Sequence, residues 1–252
     1  MNKQNQRASN EIRHGQLLAA QGAEGIWGWG SPAGKKRAER RAKLIAAGAD
    51  LKVGQNVLEV GCGTGLFTEI FAETGASIVA VDISPDLLEI AQSRDLPRGQ
   101  VKFLEKRFED CDLEGPFDAI IGSSILHHLD IDSALGNIQR LLKPDGVMCF
   151  AEPNMLNPQI MIQKNIPWIK ARLGDSPDET AFFRWQITRK LKAHGFETVN
   201  VYPFDWLHPS TPQTLISLVS RIGKTLEQLP LVREISGSLV IQARRPQQAA
   251  LA

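Results

Sequence analysis

The sequence predicts an α/β protein whose sheet is doubly wound and mostly parallel, and two observations carry this prediction. Short apolar runs, the first at Asn56–Val60, alternate along the chain with amphipathic segments of helical period. The first run ends in glycines at alternate positions, Gly61, Gly63 and Gly65, and a helical segment at residues 66–73 follows at once. Strands that alternate with helices are typical of parallel sheets, whose ligands bind beyond the carboxyl ends of the strands.

The glycine turn predicts a binding site for an anionic or carboxylate-bearing cofactor. Glycine lets the backbone turn sharply and approach a ligand closely, and the start of the next helix offers unpaired N–H groups. A dinucleotide fingerprint would need a third glycine where Leu66 stands, and no Lys-Ser/Thr pair follows, which excludes a P-loop. The next strand, residues 77–81, ends in Asp82, roughly 20 residues after the turn, where a ribose would present its hydroxyls. The alternative role of Asp82 is that of a helix N-cap.

The run from Glu59 to Gly65, with Asp82 after the next strand, resembles class I S-adenosylmethionine-dependent methyltransferases, in particular the branch that acts on small molecules and lipids. The resemblance is strong over about residues 50–152 and looser over 178–202. It implies a seven-stranded, Rossmann-like methyltransferase fold, S-adenosyl-L-methionine as cofactor, and methyl transfer. The residues expected at the cofactor are Glu59, Gly61, Cys62, Gly63, Gly65, Asp82, Ile83, Arg107, Phe108, Ser123 and Ser124.

The adenine end of this expected site departs from the family pattern. Relatives often carry Gly-Asp where this chain has Lys106-Arg107. Arg107 is therefore expected to stack on the adenine, with Phe108 as an apolar wall. Ser123 and Ser124 follow the fourth predicted strand, residues 117–122, and are placed to meet the methionine end of the cofactor.

Methyl transfer to a hydroxyl would benefit from a general base, and three histidines are candidates. His127 and His128 follow the fourth strand, and His208 lies in a later loop. Histidine titrates near neutral pH, which suits this role. The alternatives are a core histidine whose hydrogen bonds are satisfied and an ordinary loop histidine. Glu152, after the fifth strand, is expected either to orient the acceptor or to bind backbone N–H groups.

Composition excludes several other classes of protein. The 252 residues include 29 Lys and Arg against 28 Asp and Glu, and this net charge of +1 gives no footprint of nucleic-acid binding. The cysteines Cys62, Cys111 and Cys149 show neither a zinc spacing nor a disulfide framework, so the sequence predicts no metal site and a reduced, cytoplasmic setting. No apolar run reaches the roughly 18–20 residues of a membrane span, and the first 20 residues lack the apolar stretch of a signal peptide.

The predicted organisation is one methyltransferase domain, 51–252, with a helical N-terminal extension or lid, 1–50. Insertions at about 153–177 and 203–236 are expected to form a cap. Further predicted helices are residues 11–23, 35–47, 85–94, 131–142, 178–194 and 212–229, and further strands are 101–104, 147–151, 197–201 and 237–243. The helix at 212–229 is expected to turn inward its apolar residues Leu215, Ile216, Leu218, Val219, Ile222 and Leu226.

Two segments of the chain allow two interpretations each. Residues 25–34 place Trp27 and Trp29 between glycines, as in a flexible lid over the ligand or a loop that caps the sheet edge. The helix at 35–47 is rich in Lys and Arg. These side chains form either a solvated face or an anion-binding rim for an acidic acceptor or a membrane surface.

The sequence therefore favours transfer of a methyl group to a small-molecule or lipid-like acceptor, most simply at a hydroxyl oxygen. The apolar insertion after the fifth strand suggests that the acceptor has an apolar part. Peripheral membrane contact stays open, and the oligomeric state is unassigned. One alternative is a nucleic-acid or protein methyltransferase, although the Asn/Asp-Pro-Pro-aromatic motif of DNA amino-group enzymes is absent at residues 123–126. Another is a non-catalytic S-adenosylmethionine-binding protein.

Overall fold

The computed structural model describes residues 3–110, 112–173 and 179–247. The strands in these ranges are β1 (Asn56–Val60), β2 (Ser77–Asp82), β3 (Val101–Glu105), β4 (Phe117–Ser123), β5 (Leu142–Pro153), β6 (Glu197–Phe204) and β7 (Ser238–Arg244). Within the described ranges they form one seven-stranded sheet in the order β3-β2-β1-β4-β5-β7-β6. β1 to β5 pair in parallel, whereas β7 runs antiparallel to both β5 and β6. The predicted mostly parallel α/β fold is confirmed.

Both faces of the sheet are covered, which explains why its central strands are almost wholly apolar. Alternate residues of a strand point to opposite faces. Leu58 and Ile120 therefore belong to one core cluster, and Val57 and Ile121 belong to the other. All four residues are fully buried, with 0% of their surface exposed. This burial fixes the register of β1 against β4.

Helices pack on both faces. They are α1 (Lys3–Gln21), α2 (Ala23–Ile26), α3 (Pro32–Gly48), α4 (Leu66–Ala72), α5 (Pro85–Gln92), α6 (Ile131–Leu141), α7 (Pro158–Asn165), α8 (Pro167–Arg172), α9 (Arg184–Ala193) and α10 (Ile216–Leu226). Ser84 caps α5 by accepting a hydrogen bond from Leu87 N, and Pro85 stands in its first turn. None of the described helices is both long and apolar enough to cross a membrane.

The N-terminal segment differs from the predicted flexible loop. Residues 23–26 are helical, and Trp29 is buried, with its ring at 88° to that of Phe67 and the centroids 5.6 Å apart. Trp29 is thus a core residue, because its large ring fills the space between α3 and α4. Only Trp27 of the pair remains partly exposed and next to the glycine turn.

Three arginines of the basic helix α3 form neither a solvated face nor an anion-binding rim, because each is paired within the protein. Arg37 donates two hydrogen bonds to Asp205, and Arg40 binds Glu227 with both terminal nitrogens. Arg41 is buried and donates to the Ser238 hydroxyl. These three arginines instead join α3 to the segment after β6, to α10 and to β7.

Two other predicted helices were partly wrong. The helix predicted at 178–194 begins at Arg184, because Phe182 lies in extended backbone that bridges to Asn154; Asp178 lies outside the described residues. The helix predicted at 212–229 corresponds to α10, which buries Ile216 as expected. Leu218 and Ile222, which were expected to point inward, are 52% and 48% exposed. Leu215, which precedes α10 in a short 3₁₀ turn, is also exposed.

Candidate active site

A cavity of about 340 Å³ lies at the carboxyl ends of β1, β2 and β4. This is the edge at which ligands of open α/β sheets bind. α1 and Trp27 cover it, and it extends to the residues that follow β5. The predicted residues that line it are Gly61, Cys62, Gly63, Asp82, Ile83, Arg107, Phe108, Ser123, Ser124, His127 and His128. The structure therefore brings together most of the residues that the sequence singled out.

The backbone of the turn after β1 disfavours a side chain at Gly61 and at Gly63. The φ angles of Gly61 and Gly63 are +68° and +52°, in the left-handed region that disfavours other residues. A Cβ at Gly61 would lie 2.3 Å from Ile125 Cγ1, and one at Gly63 would lie 3.1 Å from Trp27 Cη2. Gly65 lies outside the cavity, where it forms the N-cap of α4 and packs against Ala91.

Asp82 anchors the turn from the neighbouring strand. Its carboxylate accepts one hydrogen bond from Gly63 N at 2.8 Å and another from Ser84 N at 2.9 Å. Burial raises the pKa of Asp82, and the hydrogen bonds from Ser84 and Gly63 oppose this rise. Ser84, and not Asp82, is the residue that caps α5. Asp82 thus shapes the binding surface as well as lining it.

Two polar side chains near the turn have oxygen atoms without hydrogen-bond partners among the described residues. Glu59 lies on β1, 1% exposed and outside the cavity lining, and its Oε2 is unpaired. Burial raises its pKa to about 8, so Glu59 is neutral at pH 7. The Ser123 hydroxyl is also buried and unpaired, and Ser123 lines the cavity. An unpaired buried oxygen at this position fits a bound polar ligand.

The segment after β3 forms another wall of the cavity. Phe108 is buried, with 3% of its surface exposed. Arg107 has NH1 2.8 Å from Asp110 Oδ2 and Nε 3.7 Å from Glu109 Oε2. The guanidinium is therefore held beside the cavity by two carboxylates of the following turn.

His127 is held firmly at the opposite side of the cavity. Its Nδ1 lies 2.6 Å from Glu152 Oε2, and Glu152 Oε1 accepts hydrogen bonds from the backbone N–H groups of Ile125 and Leu126. Glu152 therefore binds backbone N–H groups, which was one of its two expected roles. It also orients the ring of His127. Burial opposes charge on His127, but the hydrogen bond and charge of Glu152, with those of Glu179, raise the pKa of His127.

Three charged residues that the sequence did not point to complete this side. Glu179 Oε1 lies 3.3 Å from His127 Nε2 and also binds the Lys164 ammonium group. Despite burial, the hydrogen bond from His127 and the neighbouring positive charges hold the pKa of Glu179 well below its ordinary value. On α1, Glu11 Oε2 lies 3.1 Å from His128 Nδ1. No spacing in the sequence signals these contacts, since they join distant segments.

His127, His128 and Glu179 also resemble a metal site, with one potential ligand atom each and all three atoms within 4.8 Å of one another. The sequence had predicted no such cluster. Glu179 already binds the Lys164 ammonium, which places a positive charge beside its carboxylate. This cluster can therefore be charge-balanced by its own side chains.

His208 is the one candidate base that lies away from the cavity. It is exposed, its Nε2 lies 3.2 Å from Gln159 Nε2, and its Nδ1 accepts a hydrogen bond from Ser210 N. It does not line the cavity that the other candidates share. The structure therefore gives His208 no contact with the site that holds the other candidates.

Comparison with known proteins agrees with this geometry. Residues 58–148 match the family model described as a methyltransferase domain. This part of the chain is therefore similar to a methyltransferase domain. The match begins within β1 and ends within β5, so it includes the glycine turn, Asp82 and both cavity histidines.

Curated relatives align over the same region. A ubiquinone biosynthesis O-methyltransferase of Xanthomonas oryzae pv. oryzae is 36% identical over 118 residues, which are 45% of this chain and 49% of the relative. The chain thus spans about half the length of the curated relatives it matches. The aligned part is of similar extent to the region that matches the methyltransferase family model.

Solved structures show the same fold over most of the chain. The 1,6-didemethyltoxoflavin-N1-methyltransferase of Burkholderia thailandensis superposes with a TM-score of 0.63 at 18% identity, over 98% of this chain and 92% of that one. The N-methyltransferase NodS of Bradyrhizobium japonicum, in complex with S-adenosyl-L-homocysteine, gives 0.58 at 16% identity, over 86% and 90%. These similarities extend the methyltransferase fold beyond the family match.

Proposed function

We propose that this protein binds S-adenosyl-L-methionine and transfers its methyl group to a hydroxyl oxygen of a small acceptor with an apolar part. One observation carries the proposal. A single cavity has the glycine turn and Asp82 on one side and the His127–Glu152 pair on the other. A cofactor subsite and an oriented base thus open into the same space.

The residues present fit this cofactor. The Asp82 carboxylate is placed to accept hydrogen bonds from ribose hydroxyls, and the turn at Gly61 and Gly63 offers close contact with backbone. The unpaired Ser123 hydroxyl suits the polar methionine end of the cofactor, and the Phe108 ring suits its adenine. When bound, the cofactor supplies an electrophilic methyl group on a sulfonium centre.

His127 is the proposed general base. The Glu152 carboxylate fixes Nδ1 as the protonated nitrogen, and in the neutral imidazole Nε2 takes a proton from the acceptor hydroxyl in place of its contact with Glu179. The imidazolium formed in this way is stabilised by the carboxylates of Glu152 and Glu179. Such a base contributes roughly 10²–10⁴-fold to the rate. The His128 ring packs on the His127 ring, with the centroids 4.3 Å apart, and so restricts the orientation of the His127 ring.

The acceptor is proposed to be a phenol or related hydroxyl compound with an apolar substituent. The apolar residues Ile125, Leu129, Pro153 and Leu173 are among those that line the cavity. The exposed apolar side chains Met161, Ile162 and Trp168 lie on α7 and α8, the helices that precede Leu173 in the chain. The ubiquinone biosynthesis O-methyltransferase among the relatives acts, by its name, in a similar class of chemistry.

The experiment is a methylation assay with catechols that carry alkyl chains of increasing length, each beside the matching aniline. We expect O-methylated products by mass spectrometry, with higher kcat/KM for the longer chains. His127→Gln is expected to lower kcat by about a hundredfold or more without weakening cofactor binding. Methylation of the anilines alone, or cofactor binding without turnover of any acceptor, would contradict the proposal.

A further inference from the structure

A second cavity, of about 520 Å³, lies between α3 and α10 and shares no lining residue with the first. It is formed by the basic helix that the sequence singled out, by residues 205–207 after β6, and by the amphipathic helix α10. The proposed methyl transfer uses none of these residues. The proposed methyl transfer therefore does not explain this cavity.

The walls of this second cavity carry an excess of positive charge. Its lining residues include six that are basic and two that are acidic. Three of the basic ones are neutralised, because Arg37 binds Asp205, Arg40 binds Glu227, and Lys43 binds Glu39. The remaining three, Lys36, Arg221 and Lys224, make no ion pair with any described residue.

Two hydrogen-bond donors in the same cavity also lack partners among the described residues. The indole N–H of Trp206 and the hydroxyl of Ser220 are both buried, and neither finds an acceptor. An indole N–H can only donate, so its burial without an acceptor is costly. A ligand that brings acceptor oxygens would satisfy both groups.

The rest of the lining is apolar. Leu44, Leu207 and Val219 line the cavity, and the Trp206 side chain lies against Gly223 of α10. A Cβ at Gly223 would lie 2.9 Å from Trp206 Cβ, so this glycine allows the indole to lie close to the helix. The cavity thus combines cationic and donor groups with an apolar surface.

We propose that this second cavity binds a phosphate monoester carried on an apolar body. Lys36, Arg221 and Lys224 supply the charge that a dianion needs, and the Trp206 and Ser220 donors supply hydrogen bonds to its oxygens. Leu44, Leu207 and Val219 receive the apolar part. Such a group could reach the site as a free organic phosphate or as the headgroup of a lipid, and the chemistry of recognition is the same.

The test uses hexyl phosphate as the probe and the indole N–H signal of Trp206 as the readout. The signal is assigned in ¹H–¹⁵N spectra as the one of five indole peaks that disappears in Trp206→Phe. We expect hexyl phosphate to shift this peak, inorganic phosphate to shift it only at higher concentration, and hexanol to leave it in place. Sedimentation with phosphatidic-acid vesicles distinguishes a lipid source from a free one.

Matched variants test whether the charges act locally. Arg221→Gln/Lys224→Gln is expected to weaken the binding of hexyl phosphate by roughly tenfold, because charge-assisted contacts are lost. Arg189→Gln/Lys192→Gln changes an Arg and a Lys on the exposed face of α9 and should leave the affinity unchanged. All four side chains are exposed, so folding is not at risk.

Three results would overturn the proposal. These are an unmoved Trp206 signal with both hexyl phosphate and phosphatidic-acid vesicles, equal loss of affinity in the two double variants, and equal binding to neutral phosphatidylcholine vesicles. Dependence on Arg221 and Lys224 with either anionic probe supports it. The experiment needs neither the methyl donor nor an acceptor, so its outcome is independent of the proposed methyl transfer.

Discussion

At the scale of single residues, Asp82 holds the glycine turn and is the residue proposed to bind the ribose, so one substitution removes both contacts. Its carboxylate binds the backbone of the glycine turn and faces the space proposed for the ribose. We expect Asp82→Ala to weaken S-adenosylmethionine binding about tenfold or more, because charge-assisted hydrogen bonds contribute roughly 1.5–3 kcal/mol each. Calorimetry gives the affinity, and circular dichroism checks the fold. Unchanged affinity would rule out the ribose role.

Gly63 tests whether the turn faces the ligand. Gly63→Val adds a branched side chain at φ +52°, with its Cβ 3.1 Å from the ring of Trp27. We expect loss of cofactor binding with a modest loss of stability, since the strain is local. Gly99→Val is the control, because Gly99 also has a positive φ but no atom lies within 4 Å of its Cβ position. Retained binding in Gly63→Val would mean that the cofactor lies elsewhere.

Glu179 sets the pH dependence expected of His127. The hydrogen bond and charge of Glu152, with those of Glu179, outweigh burial and raise the pKa of His127. His127 can accept a proton only when its ring is neutral. We therefore expect kcat to be low below this raised pKa and to rise as the pH passes through it. Glu179→Gln removes one carboxylate, and the acidic limb of the profile should move to lower pH. A limb that stays in place would exclude His127 as the titrating base.

The residues of the candidate site divide into those that local sequence reveals and those that it cannot. Gly61, Gly63 and Asp82 follow from strand, turn and spacing, and they line the cavity. Glu179 and Lys164 were missed, because only folding brings residues after β5 to His127 after β4. Their positions depend on tertiary packing, which no local pattern encodes.

At the scale of elements, the N-terminal helices cover the cavity through a small polar network. Glu24, which is part of α2, accepts a hydrogen bond from the Thr64 hydroxyl and binds Arg94. Arg94 in turn donates to Thr64 O at 2.6 Å. Trp27, which follows α2 directly, lies next to Gly63. The lid interpretation therefore applies to α1, α2 and Trp27, and not to the whole segment 25–34.

The lid prediction concerns Trp27 alone. In protein labelled with 5-fluorotryptophan, cofactor binding should shift the ¹⁹F signal of Trp27, which lines the cavity beside the turn. Trp185, which is exposed on α9, provides the unshifted control. Each signal is assigned by a Trp→Phe variant. A Trp27 signal that does not respond would show that this element does not close on the cofactor.

Elements were predicted best where burial is strongest. β1 has the predicted bounds because its apolar run is buried in the centre of the sheet. The segment before α9 failed because the bridge from Phe182 to Asn154 competes with helix formation. In α10 the apolar pattern is helical, but Leu218 and Ile222 remain exposed. Periodicity thus identified the helix and not the partner of each face.

At the scale of the whole molecule, Glu59 links stability to pH. Burial raises its pKa from 4.5 to about 8. The folded protein keeps a proton that the unfolded chain releases above pH 4.5, so the stability from this group falls progressively between pH 4.5 and about pH 8 and no longer changes above that range. The free energy of unfolding should fall by up to about 1.4 kcal/mol per pH unit in this window.

Glu59→Gln tests this linkage in urea titrations between pH 6 and 9. The amide cannot ionise, so the variant should lose less stability than the wild type as pH rises. Glu73→Gln, at an exposed position after α4, is the control. Equal pH dependence in wild type and Glu59→Gln would contradict the buried neutral carboxyl.

The sequence predicts the architecture of the sheet, but it does not predict where the last two strands lie in it. Alternating strands and helices were enough for a parallel α/β sheet. Local sequence does not say that β7 inserts antiparallel between β5 and β6, since this order depends on pairing between distant segments. The resemblance around the glycine turn implied a seven-stranded, mostly parallel sheet, but not the position or direction of β7.

The central claim is that the cavity beyond β1 and β2 binds S-adenosylmethionine. The most direct measurement is calorimetric titration of the protein with S-adenosylmethionine and S-adenosylhomocysteine, with NAD as the control. We predict micromolar binding of the first two at one site and no heat from NAD, since the third glycine of the dinucleotide fingerprint is replaced by Leu66. Absence of binding by both, or equal binding of NAD, would contradict the account.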